Sequence, residues 1–504
     1  MLKYRTNTTP FLPGLHLPTL RRKPRSAQQI LKDHESNMNR KRLNHPGKML
    51  GEFLPSPLFS TEGARKRIFT KENTFFVFLQ QIWSADGSCQ EALHRLREQA
   101  DFQKMKTLPS AQPSAYIQAR KRLDVEELRE TFYYGAGAIE EVGDVLHSER
   151  PWIVVDGTGL SMPDTPENQK VWPQSSEQKP GIGFPNAKVV ASLSLHTGAV
   201  LDAEIGNQHD HEITLFRRLA DSFQKEDIVI GDRGFDSWHD VTVLKERGVD
   251  TLFRRHARRK LLTPSEALKK LGKGDLLIRS LRPVQRPDHM TLDQWHAMPE
   301  SILLRQITFT VEHPGFRPET ITVTTTLTDE KAYPVEKIKT MYLRRWQIEV
   351  SLRDLKSTMG MEILRCKSPD MILKEIWMNL IGYNALCFLQ VKAAVREGLD
   401  RFRLSFKGCL EVMRSWTERF RDPKESVRIL LDNLFTNMTV NLLPVRPGRV
   451  ETRVKKTKAS KGQVDDQTAP DSTSGNGGLN VWPKKTLVDL HRILYSLVQV
   501  GAKT

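Results

Sequence analysis

The sequence predicts an α/β protein, on three observations. Two short apolar runs, Trp152 to Val155 and Ile228 to Ile230, each stop at an aspartate followed by glycine within two residues. Continuous apolar runs of that length are what strands buried on both faces look like. Two longer runs, ILLRQITFTVE (302–312) and ETITVTTTLTD (319–329), alternate and are rich in Thr, Val and Ile, so they read as strands around an HPGF turn. Helical patterns fill the remainder. The clearest is MYLRRWQIEVSLRDLKSTMGM (341–361), with no proline and no interior glycine before Gly360.

At 504 residues the chain is long enough for two to four domains with real cores. Lys and Arg number 77 against 60 Asp and Glu, a net charge of +17. That excess points to a polyanionic partner, most simply nucleic acid. The four cysteines, Cys89, Cys366, Cys387 and Cys409, show no CxxC or His-paired spacing. Disulfides and structural zinc are therefore not expected, and a reducing cytoplasm fits. No N-terminal signal pattern is present. The most apolar helix-like run, Leu380 to Val395, is broken by Asn384, Gln390 and Lys392, so it reads as a buried helix and no membrane contact is expected.

Residues 1–68 read as a basic flexible arm, with RRKPR at 21–25 and NRKRL at 39–43 available for phosphate contacts. Residues 69–145 read as helical. Asn73 or Thr74 can cap a helix through Ile82, Ser88 can cap CQEALHRLREQA, and Ser114 opens SAYIQARKRLDVEELRE. Tyr116 lies one turn before a cluster of Arg120, Lys121 and Arg122, which suits a DNA-binding module of short helices. A plain bundle with charged faces is the alternative.

Residues 146–245 hold the two aspartates, Asp156 and Asp232. Between them, 181–205 reads as a hairpin joined by HTG at 196–198, and HDHEITLFRRLADSF as a helix; His209 and His211, two apart, read as polar loop residues. One strand-end aspartate ordinarily caps a turn. Two of them, joined by a carboxylate on a helix face, can instead form a divalent-cation site. Mg²⁺ favours oxygen ligands and keeps water positions open for a phosphate substrate. Two such ions about 3.5–4 Å apart can hold the attacking and leaving oxygens of an in-line phosphoryl transfer.

Residues 246–334 read as a β-rich insertion that opens on the densely basic LFRRHARRKLL (252–262), which includes Arg254. The helix at 341–361 belongs to a second, helical part of the core, 335–440. Tyr342, Arg345, Glu349 and Lys356 fall within an arc of roughly 60° on that helix at about 100° per residue. The alternative is a solvated charged face with incidental pairs such as Glu349 with Arg353. Residues 441–504 read as a basic tail, a low-complexity linker and a terminal amphipathic piece, KKTLVDLHRILYSLVQV.

These residues together resemble the bacterial insertion-sequence transposases of the DDE, RNase H-like superfamily, in particular the branch named after insertion sequence four. Tyr342, Arg345, Glu349 and Lys356 match every spacing of its Tyr-x2-Arg-x3-Glu-x6-Lys signature. The segments DGTGLSMPDTPENQ, GFPNAKVV, IGDRGF and YPVEKIKTMYLRRWQIE follow in the family's order, over roughly 70 to 455. The resemblance implies an RNase H-like core in which Asp156, Asp232 and Glu349 form a catalytic triad binding two Mg²⁺ ions, with Mn²⁺ as a substitute. Tyr342, Arg345 and Lys356 would then grip the backbone of the transposon end. It further implies transposon-end and target DNA as partners, a homodimer on paired ends, a hairpin intermediate, and a cytoplasmic, nucleoid-associated location. Trp295 lies in the insertion without aligning to the base-holding tryptophan of some relatives. The rival readings are a nuclease that cuts without joining and an inactive DNA-binding remnant.

Overall fold

The computed structural model describes residues 47, 49–59, 68–102, 108–144, 149–179, 181–256, 258–312, 318–417, 419–421 and 426–444. The HPGF turn, the two arginine-rich motifs of the arm and the terminal amphipathic piece lie outside them. The helices are α1 (Lys71–Trp83), α2 (Cys89–Phe102), α3 (Ser114–Lys121), α4 (Val125–Gly143), α5 (Pro166–Val171), α6 (Glu212–Leu219), α7 (Trp238–Glu246), α8 (Leu292–Ala297), α9 (Val335–Arg344), α10 (Trp346–Arg353), α11 (Pro369–Glu397), α12 (Phe406–Thr417) and α13 (Val427–Thr439). The strands are β1 (Trp152–Ser161), β2 (Asn186–Ser194), β3 (Val200–Asn207), β4 (Ile228–Gly231), β5 (Asp250–Arg254), β6 (Lys269–Gly272), β7 (Asp275–Leu281), β8 (Ser301–Val311) and β9 (Glu319–Thr325).

All nine of these strands form one sheet, in the order β3-β2-β1-β4-β5-β9-β8-β7-β6. β1, β2 and β3 are antiparallel neighbours, whereas β4 and β5 run parallel to β1. The β-rich stretch 246–334 does not stand apart from this sheet. β9 pairs antiparallel with β5 through Leu252↔Thr325, Phe253↔Thr324 and Arg254↔Val323, and β8, β7 and β6 extend the same surface.

Alternation along the strands sorts side chains into two layers, because successive residues of a strand point to opposite faces. Trp152 and Val154 of β1 and Ile228 and Ile230 of β4 join the core that contains α11. Ile153, Val155 and Val229 join the opposite core, against Leu215, Phe216 and Leu219 of α6 and Trp238, Val241 and Leu244 of α7. The apolar run ending at Leu380–Val395 forms most of α11, which is buried along nearly its whole length.

The first helix starts earlier than its sequence indicates. Thr70 caps α1, its hydroxyl accepting from the Asn73 N–H, while Ser88 accepts from Glu91 N–H at the start of α2. The segment read as one amphipathic piece from Ser114 is two helices. Asp124 ends the first run and caps α4 through the N–H groups of Glu126 and Glu127. These N-terminal helices share the α11 core, where Phe75, Phe78 and Phe132 pack in the same cluster as Trp377 and Phe388, and enclose a small cluster of their own from Val77, Ala92, Leu93 and Tyr116. Part of the span read as a flexible arm belongs there too. Met49, Leu50, Phe53 and Leu54 are buried, Phe53 lies 5.7 Å from Phe388, and Glu52 pairs with Lys392 at 2.7 Å.

One buried ion pair positions the segment that leads into α9. Arg305 on β8 donates bidentately to Asp275 on β7, at 2.8 and 2.6 Å, and to the Tyr333 carbonyl at 2.6 Å. Arg150 holds the Tyr333 hydroxyl at 3.2 Å while also pairing with Asp250. Pro334 then starts α9 with its φ already set for entry into a helix.

Candidate active site

Asp156 and Asp232 meet because of register. β1 and β4 are parallel and pair Trp152↔Ile228 and Val154↔Ile230, all four side chains facing the α11 layer. The same step of two residues carries both strands to an aspartate on that face. Asp156 does not end its strand, as its sequence suggests. β1 continues to Ser161 because β2 keeps pairing with it, Asp156↔Ala191 through Ser161↔Asn186. Only the parallel ladder with β4 stops there, so Asp156 stands beside an open crevice on a backbone held from one side. Gly157 permits a close approach: a Cβ there would come within 2.7 Å of the Glu212 carboxylate. Asp232 lies just past β4, and its Oδ1 accepts the Gly234 N–H at 2.7 Å in a turn.

The facing helix departs from the single regular helix that the sequence suggests. α9 and α10 are joined at Arg345, where Arg345 N–H bonds to Tyr342 O and Ile348 N–H to Arg345 O, both at 3.0 Å. These three-residue steps tighten the helix locally. A π turn, Asp354–Thr358, then widens it. Ile348 and Leu352 are buried in the α11 core, and Glu349 is directed at the strand ends. Arg345 binds the acids together: its guanidinium is 3.3 Å from Glu349 Oε1 and 4.0 Å from Asp156 Oδ2. It stacks 4.4 Å from the Trp346 ring centroid and is 5% exposed.

The electrostatics report how closely the acids converge. Burial pushes Asp156 up to about 6; Arg345 and the Gly157 N–H oppose this, and the charges of Asp232 and Glu212 add to it. Burial likewise pushes Glu349 up to about 7, against Arg345 and with the help of Asp156 and Asp232. Glu349 feels Asp156, and both feel Asp232, so the three carboxylates are neighbours across the crevice. One buried guanidinium does not offset three acids. An all-oxygen donor set with uncompensated negative charge fits a divalent cation.

The other predicted site residues are distributed unevenly. Tyr342 is buried at 1% exposure, edge-on to Phe309, and is electrostatically coupled to Arg345, Arg254 and Asp232. Arg254 ends β5 and pairs with Glu319 at 2.8 Å. Lys356 sits in the π turn, 3.7 Å from Glu362. The Arg120 cluster is divided: Lys121 and Arg122 are exposed, while Arg120 is buried over the Phe78 ring at 3.9 Å. Its guanidinium donates to the Cys89 and Cys366 sulfurs at 3.2 and 3.0 Å. Arg344, next to Arg345, points elsewhere and donates to Leu195 O at 2.8 Å. Glu212 was not singled out in the sequence; an acid after HDH at a helix start carries no signal of its own.

Residues 147–385 match the Transposase DDE domain family, a span that takes in Asp156, Asp232 and Glu349. This segment carries a DDE transposase domain, and the function it supports is that of a DDE transposase, metal-dependent cleavage and strand transfer of DNA. The chain is similar to the transposase InsG for insertion sequence element IS4 of Escherichia coli (strain K12), with 26% identity over 435 residues, 83% of this chain and 94% of that one. A solved structure, piggyBac transposase in a synaptic complex with hairpin DNA, aligns over 87% of this chain and 89% of that one, at 11% identity and a TM-score of 0.38. Among the described residues, no helix is long and apolar enough to cross a membrane.

Proposed function

We propose that Asp156, Asp232 and Glu349 are the catalytic triad of this transposase and that they hold two Mg²⁺ ions, replaceable by Mn²⁺. The observation that carries this reading is the approach of Asp156 and Glu349 to one buried guanidinium, Arg345, at 4.0 and 3.3 Å, where burial raises both carboxyls above the usual carboxylate range beside Asp232. Divalent ions bound there supply Lewis-acid polarisation of the scissile phosphate and neutralise the acids toward an anionic substrate. The protein residues orient. Asp156 and Asp232 sit on paired strands that fix their spacing, and Arg345 holds the Glu349 carboxylate from the side away from solvent.

The antiparallel β1–β3 meander followed by parallel β4 and β5 supports an RNase H-like core, with β6–β9 as its insertion. Lys121, Arg122, Arg254 and Lys356 serve as backbone contacts for transposon-end DNA, and Tyr342 buttresses Arg345. The N-terminal helices contribute to the DNA-binding surface, two chains act on paired ends, and the protein works in the cytoplasm on nucleoid DNA. The test is single-turnover cleavage and strand transfer on end-bearing duplexes. Asp156→Asn, Asp232→Asn and Glu349→Gln should each lose both steps with Mg²⁺ or Mn²⁺. Cleavage without joining by the unaltered protein would favour a nuclease instead.

A further inference from the structure

A second cluster of metal-ligating atoms lies on the other face of the sheet, away from the triad. His239 and Asp240 are the second and third residues of α7, and His289 lies in the loop before α8, 50 residues along the chain. His289 Nε2 is 3.2 Å from His239 Nδ1, which is 3.0 Å from Asp240 Oδ1, and the three donor atoms all lie within 4.8 Å of one another. Among the described residues this is the one group of three such donors.

Proton bookkeeping leaves this arrangement under-satisfied. A proton on His239 Nδ1 serves Asp240, and the His289 nitrogen must then present its lone pair to the same proton. A proton on His289 Nε2 instead leaves the His239 lone pair facing a carboxylate oxygen at 3.0 Å. One cation at the point of convergence satisfies all three donors. The spacing suits it: ligands about 2.0–2.2 Å from a tetrahedral Zn²⁺ stand roughly 3.3–3.6 Å apart, so the 3.2 and 3.0 Å pairs need open by only about half an ångström or less.

The surroundings supply the outer support that such ligands need. Arg217 on α6 donates bidentately to Asp240, at 2.8 and 3.0 Å, which fixes the carboxylate and leaves Oδ1 a second lone pair. Asp240 is buried, and His289 is exposed, so a fourth position faces water. Two imidazoles and one carboxylate select a borderline first-row ion such as Zn²⁺ over Mg²⁺. The absence of CxxC spacing argues only against a thiolate zinc site; this donor set contains no sulfur.

We propose that His239, Asp240 and His289 bind a Zn²⁺-class ion that fastens the loop before α8 to the core helix α7. The fastening point adjoins the edge-to-face contact of Trp238 with Trp295, 6.0 Å between centroids. The ion therefore joins the 246–334 segment to the catalytic half of the chain at a place separate from the triad.

The experiment uses untagged full-length protein, stripped with chelator and titrated with Zn²⁺ in excess Mg²⁺, which occupies the triad. One Zn²⁺ per chain is expected, and Co²⁺ in its place should give the intense visible bands of a tetrahedral site. His289→Ala should weaken binding by about a hundred-fold or more, beyond the 10–100-fold cost of losing an outer partner, and abolish the bands. His289→Cys should retain both. His289 is exposed, so its replacement leaves the fold intact, and circular dichroism of each variant checks this. Equal Zn²⁺ affinity in the unaltered protein and His289→Ala, or no stoichiometric Zn²⁺ in the unaltered protein, would overturn the proposal.

Discussion

If Asp156 and Glu349 ligate the catalytic ions, metal binding must release protons, by an amount set by their raised pKa values. At pH 6.5, pKa values of about 6 and about 7 leave Asp156 roughly a quarter and Glu349 roughly three-quarters protonated, about one proton in all. At pH 8.5 the sum falls to a few hundredths. A carboxylate ligand binds deprotonated, so Mg²⁺ binding should release about one proton at pH 6.5 and almost none at pH 8.5, and the apparent affinity should rise roughly fivefold between them. Calorimetry in two buffers of different ionisation enthalpy, at both pH values, gives the proton count directly. Glu349→Gln should leave about a quarter of the release at pH 6.5. Acids with ordinary pKa values would release only about a hundredth of a proton there. Near-zero release at pH 6.5, or full release by Glu349→Gln, would refute both the convergence and the metal assignment. Stability of the metal-free protein follows from the same shifts. The folded state holds protons that the unfolded chain has given up, so stability is lost as pH rises from about 4 to about 7. At about 1.4 kcal/mol per unit, roughly halved for side chains still in contact with water, the loss is on the order of 3 kcal/mol. Glu349→Gln should recover part of it.

Asp156→Ala, Asp232→Ala and Glu349→Ala should each abolish cleavage in a single-turnover assay while end-binding, measured by anisotropy, stays largely intact. Arg345→Ala and Lys356→Ala should slow cleavage of bound ends by roughly ten- to over a hundred-fold, from charge-assisted contacts of about 1.5–3 kcal/mol. Arg344→Ala should instead lower the unfolding midpoint and spare the rate of the folded enzyme, because its partners are Leu195 O and the Trp152 ring. Lys121→Ala with Arg122→Ala should flatten the salt dependence of DNA binding by about 0.9 per lost phosphate contact, and buried Arg120→Ala should destabilise without changing that slope. Arg305→Leu should cost about 3–5 kcal/mol in urea unfolding by stranding Asp275, and Asp275→Leu added to it should restore most of the loss.

Much of the fold around the candidate site was legible because it rests on short-range pattern. The runs before Asp156 and Asp232 are strands of matching parity, and 302–312 and 319–329 correspond to β8 and β9. The hairpin around HTG is β2 and β3. What stayed hidden depends on partners distant in the chain. The continuation of β1 past Asp156 is enforced by β2, and glycines at 157 and 159 mask it by resembling a turn. Arg120 reads as part of a surface cluster because its sequence neighbours are basic; its burial comes from Phe78 and from the cysteines at 89 and 366. His239 and His289 carry no spacing signal, since only the path of β7 and its following loop brings them together. The tight step at Arg345 arises from contacts with the acids and with Trp346 that helical periodicity does not encode.

The single sheet has a mechanical consequence. β5 and β9 are joined by three successive residue pairs, which tie the β6–β9 segment to the parallel strands β4 and β5, so that segment has no hinge at its base. Swinging it toward a substrate as a separate jaw would tear a ladder in the middle of the sheet. Adaptation to bent DNA must therefore come from its loop tips, with the sheet moving as one plate.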